Sequence, residues 1–234
     1  YDANRVDLSQ VDNKFIIAAA PPNCITSREN FWRLVYDASI QNIIYLENFN
    51  ESSPDNFMQW KVGESKDYGK MQVIVKKVTR DDNTIQAMIE VLPEGCSNSL
   101  ITRIVQVFKW PEEFPVDESD KPNSEARRSA VFAARLFKNE RGPTLAVCKN
   151  GVGNSAVFVL LYSILSRFSA KKDTTMPELL KCLRHDRWGS LQTEEQYLLV
   201  HLLVADYVIA KFAKLRELAL ATRKKLVALN VKRK

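Results

Sequence analysis

Residues 142–168, GPTLAVCKNGVGNSAVFVLLYSILSRF, constrain the fold most. GPTLAVC is an apolar run that reads as a buried strand, a short loop with two glycines follows, and SAVFVLLYSILSRF predicts a helix with a wide apolar face. A similar order opens the chain. KFIIAAA at 14–20 predicts a buried strand ended by Pro21-Pro22. TSRENFWRLVYDAS predicts a helix capped by Thr26 or Ser27, with Glu29 or Asn30 in its first turn and Phe31, Leu34 and Val35 at helical spacing. NIIYL is a second buried strand. Between 68 and 108 the period changes to two: MQVIVKKV, TIQAMIEVL and ITRIVQVF predict antiparallel strands joined at RDDN and PEGCSNS. ENFNESSPDN and the proline-rich, acidic KWPEEFPVDESDKPNS predict loops, the second long enough to carry function. A helix is expected from Ser124, capped by Asn123 or Ser124, another over TMPELLKCLR, and an unusually long final one from QTEEQ to VALN. The pattern implies an α/β fold: a central twisted mixed β-sheet flanked by α-helices.

At 234 residues, 45% of them hydrophobic and 26% charged, the chain fits one large globular domain. LLVHLLVADYVIA is interrupted by His201 and Asp206 and is too short to span a bilayer, and YDANRVDL has no signal-peptide character. Cys24, Cys96, Cys148 and Cys182, with His185 and His201, show no metal-ligand spacing, so no metal and no cofactor are expected, and reduced cytosolic thiols are. From Lys211 to Lys234 nine Lys or Arg stand against Glu217 alone, a surplus larger than the net +6 of the whole chain. A basic tail of this kind suits nucleic acid, acidic lipid, an acidic protein surface or plain solvation.

A thiol phosphatase needs a thiolate, backbone N–H groups at a helix N-terminus to hold phosphate oxygens, and a guanidinium to clamp the anion. The count here is Cys148, Lys149, Asn150, Gly151, Val152, Gly153, Asn154, with asparagine where the arginine is needed.

Seven segments in order resemble the tyrosine-specific protein phosphatase domain. YDANRVDL is similar to Y-D-x-x-R-V, FIIAAAPP to Y-I-A-T-Q-G-P, ENFWRLVYD to D-F-W-R-M-V-W, and MQWKVGESKDYG more weakly to the Q-Y-W-P stretch. KWPEEFP falls at the mobile W-P-D loop, GPTLAVCKNGVGNSA at G-P-x-x-V-H-C-S-A-G-V-G-R-T-G, and LRHDRWGSLQTEEQYLLVH at M-R-x-x-R-x-x-M-V-Q-T-E-x-Q-Y-x-F. The resemblance implies an N-terminally incomplete domain over 1–207, with the D-Y-I-N-A segment before KFIIAAA either deleted or left out of this sequence, and a basic amphipathic helical extension over 208–234. It implies that Cys148 keeps the nucleophile position, Gly151 and Gly153 the loop's freedom, Ser155 the hydroxyl that steadies the thiolate, and Gln192 and Gln196 the water-positioning amides. Against these, Asn154 replaces the arginine, Val147 the preceding histidine, and Glu112 the general-acid aspartate. The longer Glu112 would misplace its proton by about 1 Å, on the order of 100-fold in rate. Losing the guanidinium costs roughly 3–4 kcal/mol in the transition state. Hydrolysis is therefore expected to be close to absent.

The resemblance thus implies an inactive interaction module, a scaffold, competitor or inhibitor for a phosphotyrosine-bearing or acidic protein segment, such as that of a tyrosine-phosphorylated kinase. The competing expectation is a low-activity phosphatase using Cys148 and Lys149. Residues 148–155, with Lys149 as a surrogate cation, form the expected anion-binding loop, and Trp110, Arg184, Arg187, Phe212 and Leu215 are candidate partner contacts. Trp110 and Pro111 read equally as a hinge or a packed turn, and Arg184, Arg187 and Trp188 as packing with exposed charge. Val208, Phe212, Leu215, Ala219, Thr222, Leu226 and Leu229 form a heptad-like stripe that could dock on its own domain, pair with a partner helix or lie on an anionic membrane at the inner, cytoplasmic face. A protein partner is the leading expectation, with nucleic acid disfavoured.

Overall fold

The apolar runs become the parallel centre of one sheet and the alternating runs its antiparallel wing. The computed structural model describes residues 1–8, 14–22, 24–46, 61–82, 84–107, 110–111, 121–138, 140, 142–173 and 175–231. Chain order is β1 (Ala3–Val6), β2 (Phe15–Ala19), α1 (Ile25–Asp37), β3 (Asn42–Tyr45), β4 (Ser65–Tyr68), β5 (Met71–Arg80), β6 (Thr84–Pro93), β7 (Leu100–Val107) and α2 (Lys121–Leu136). There follow β8 (Thr144–Cys148), α3 (Asn154–Ser169), α4 (Met176–Asp186), α5 (Glu194–Lys211), a 3-10 turn at Ala213–Leu215 and α6 (Arg216–Val231). The sheet runs β1-β2-β8-β3-β7-β6-β5-β4. β2, β8, β3 and β7 are mutually parallel, and the outer pairs are antiparallel.

β3 and β8 are buried at every residue, as parallel strands covered on both faces must be, whereas β5 alternates over its first half. The two faces divide the core. Leu145 and Val147 join Phe31, Trp32 and Val35 of α1 on one side; Ala146 and Cys148 join Phe158, Leu161, Leu199 and Leu203 of α3 and α5 on the other. β8 therefore delivers Cys148 to the face on which α3 lies.

Several boundaries differ from the sequence expectation. β1 (ANRV) and β4 (SKDY) have little apolar content and exist because β2 and β5 offer them a paired edge. Cys24, not Thr26 or Ser27, occupies the N-cap of α1, and α2 begins at Lys121. The expected single final helix is two. Phe212 leaves helical geometry (φ −125°, ψ 90°), and its ring meets Phe168 at 4.8 Å and Tyr207 at 5.9 Å. Burying that ring against α3 turns the chain, and α6 folds back along α5. Among the described residues no helix is long and apolar enough to cross a membrane.

Candidate functional site

The loop 149–153 leaves the carboxyl end of β8 and enters α3, so its position is set by the sheet. Ala20 N–H donates to Cys148 O at 2.9 Å and Leu46 N–H to Val147 O at 3.0 Å, which ties the end of β8 to the segments following β2 and β3. Cys148 is 3% exposed. Gly151 N–H closes a turn onto Cys148 O at 3.2 Å, with Gly151 at φ +62°. A Cβ there would lie 2.5 Å from Ala19 N, so both the backbone sign and the space require glycine. Gly153 is the N-cap of α3, and a Cβ on it would lie 2.8 Å from Gln196 Nε2 and 3.6 Å from Gln192 Oε1. Both amides expected beside the loop are thus brought to it, and Gln196 Oε1 accepts from Gln192 N–H at 2.8 Å.

Asn154 takes the first position of α3, and its side chain is committed. Nδ2 donates to Leu46 O at 3.1 Å, so the amide ties the helix start to the chain following β3. Lys149 and Asn150 are exposed, Val152 is half-buried, and its carbonyl accepts from Leu191 N–H at 2.9 Å. Ser155 is fully buried, and its hydroxyl makes no hydrogen bond. The expected contact from this hydroxyl to the Cys148 thiol is not formed.

Of the two arginines proposed as partner contacts, Arg187 is buried and Arg184 is exposed, and both guanidinium groups bond backbone carbonyls. Arg187 is 6% exposed; its Nε donates to Gly151 O at 3.1 Å and Nη1 to the side chains of Asp2 and Asn4. It braces the loop against β1, and its hydrogen bond holds the Asp2 carboxyl below the usual aspartate value. Arg184 gives Nε to Ser190 O at 2.9 Å and Nη2 to Leu191 O at 3.0 Å. Buried backbone carbonyls need donors, and these guanidinium groups supply them. The reading of these arginines as packing residues holds in part, and what the sequence did not reveal is which carbonyls they serve; the only signal was the match of LRHDR to the family's M-R-x-x-R.

Burial favours the packed-turn alternative for Trp110 over a partner contact, and Phe212 is partly buried. Trp110 is 2% exposed and packs in the core, and Phe212 is held by Phe168 and Tyr207. Leu215 is 39% exposed and Trp188 is 90% exposed. Gln192 is exposed and lines, with Leu180, Arg184, Leu191, Tyr197 and Leu198, a groove of about 450 Å³ beside the loop. Glu112 lies outside the described residues, as do residues 9–13, where the D-Y-I-N-A difference falls.

With this geometry the loop can present backbone dipoles and Lys149 to an anion, but Asn154, Arg184 and Arg187 are engaged elsewhere. Comparisons with known proteins agree on the frame. The Protein-tyrosine phosphatase family model matches residues 1–206. The human receptor-type tyrosine-protein phosphatase zeta is 25% identical over 219 residues, covering 90% of this chain and 9% of the relative. The human receptor-type tyrosine-protein phosphatase epsilon is 24% identical over 212 residues, covering 89% of this chain and 29% of the relative. The chain spans less than half the length of these relatives. Among solved structures, the Trypanosoma cruzi protein tyrosine phosphatase TcPTP1 superposes with a TM-score of 0.73 at 18% identity, over 88% of this chain and 72% of that one.

Proposed function

Because the chain belongs to the protein-tyrosine phosphatase family, we propose that it is a catalytically silent member that works by binding a phosphotyrosine-bearing or acidic protein segment. The carrying observation is the Asn154 amide, donated to Leu46 O where the family's loop resembles one that presents a guanidinium to phosphate. A neutral amide offers at most two weak donors, and one of them is given to Leu46 O, so charge developing on a transferring phosphoryl group meets no guanidinium clamp. Lys149 is an exposed point charge and does not reproduce a bidentate fork. The glycines, the strand-to-helix geometry and the bracing by Arg187 suit holding an anion. The protein then acts as scaffold, competitor or inhibitor for its partner.

The test pairs turnover with binding. Hydrolysis of an aryl phosphate should equal that of Cys148→Ser, and rise in the double variant Asn154→Arg, Glu112→Asp. A phosphotyrosine peptide should bind more tightly than its unphosphorylated form. Wild-type turnover abolished by Cys148→Ser would sink the silent reading, and equal affinity for the two peptides would sink the binding one.

A further inference from the structure

We propose that the corner where the end of α3 meets the α5–α6 turn is a docking surface for an anionic phospholipid bilayer. α6 is fastened to its own domain on one side only. Ala219 is buried, Leu226 and Val227 pack against the core, and Arg223 faces Asp206 at 3.7 Å. The outward side carries both apolar and charged groups: Leu215 is 39% exposed, Leu218 68% and Phe168 of α3 36%, with Leu220 and Leu229 further along α6 and Arg216, Lys224 and Lys225 among them. The Phe168–Phe212 ring contact at 4.8 Å brings the two segments together, and Leu215 N–H donates to Phe212 O at 3.0 Å, so Leu215 follows within one turn.

Cations surround these tips. Lys171 and Lys172 lie in the turn after Phe168, with Lys171 N–H on Phe168 O at 3.2 Å and Lys172 N–H on Arg167 O at 3.0 Å. Lys211 ends α5, Lys214 sits in the 3-10 turn and Arg216 begins α6, and all five side chains are exposed. Asp173 and Glu217 stand beside these cations in the chain, and both are exposed. Large apolar tips ringed by lysines match a bilayer boundary, where rings and leucines enter the acyl edge and ammonium groups meet phosphate and carboxylate headgroups.

A partner helix fits less well. The outward seam at heptad spacing is Leu215, Leu218, Thr222, Lys225 and Leu229, and its middle is polar, so a coiled-coil partner would meet a threonine and a lysine at core positions. Phe168, Leu215 and Leu218, by contrast, expose apolar surface at the start of α6 and at the end of α3.

The experiment is co-sedimentation of the full chain with phosphatidylcholine vesicles, with and without phosphatidylserine, beside retention on immobilised polyglutamate. Binding is expected only with phosphatidylserine, and to weaken with salt. Lys211→Gln with Lys214→Gln should weaken it roughly 30-fold. Leu215→Ser with Leu218→Ser should also release the protein, while leaving its melting temperature near wild type because both side chains face outward. No phosphatidylserine-dependent binding, binding indifferent to both variant pairs, or retention on polyglutamate without vesicle binding would overturn the proposal, the last in favour of an acidic protein surface.

Discussion

Arg187 reaches the loop from the turn after α4, and its guanidinium divides between a loop carbonyl and the side chains of Asp2, just before β1, and Asn4 within it. Its partner Asp2 makes this brace sensitive to acid. The hydrogen bond from Arg187 is the largest cause of the lowered Asp2 value, and burial opposes it. A carboxyl whose folded value lies below its unfolded one, near 3.9, contributes its full stabilisation above about pH 4. That contribution declines as pH falls through the folded value. Urea midpoints measured at neutral pH and below about pH 4 should therefore drop more for the wild type than for Asp2→Asn. An equal drop would mean that Asp2 is not linked to folding. Because Asp2 is two-thirds exposed, solvent screening keeps the neutral-pH difference small.

At the level of elements, α2, α5 and α6 meet at one carboxylate. Asp206 Oδ2 accepts from Arg127 Nε at 2.7 Å, and Oδ1 lies 3.7 Å from Arg223 Nε. The Arg127 side chain is 3% exposed, so Asp206→Asn leaves a buried cation without its counter-charge, at about 3–5 kcal/mol. Chemical denaturation should register that loss, and replacing Asp206 and Arg127 together by Asn and Met should recover most of it. A double variant as unstable as the single one would show that packing, not charge, is what the pair supplies. Neither this triad nor the break at Phe212 was legible in the chain. No glycine or proline marks position 212, and the apolar stripe from Val208 to Leu229 runs on as if the helix did. What ends it is a ring finding Phe168, forty-four positions earlier in the chain. By contrast β2, β3, β5 to β7 and β8 were legible, because burial on both faces or on one leaves a period in the residues themselves. The loop was legible for the same local reason, in its order of strand, glycines and helix. The engagement of Asn154 with Leu46 and of Arg187 with Gly151 was not, since each depends on where a distant carbonyl falls.

Across the whole molecule the two proposed surfaces sit at opposite ends of one helix. α3 begins at Asn154 in the anion loop and ends at Ser169 beside the exposed ring of Phe168. At 1.5 Å per residue its ends are about 22 Å apart, beyond the roughly 8 Å over which surface charges act at physiological salt. Its middle is packed against α5 and the sheet, with Val157 to Tyr162 buried throughout, so it behaves as a stiff spacer and not as a hinge. Occupying one end should therefore neither block nor reshape the other. A phosphotyrosine peptide titrated onto protein bound to phosphatidylserine vesicles should show the affinity measured in solution within about twofold, and the peptide should sediment with the vesicles. Displacement of the protein by the peptide would mean that both ligands compete for the loop, and the lysine corner would then have to be abandoned as a separate site. Simultaneous binding would make the chain a tether that holds a phosphorylated partner at a charged membrane.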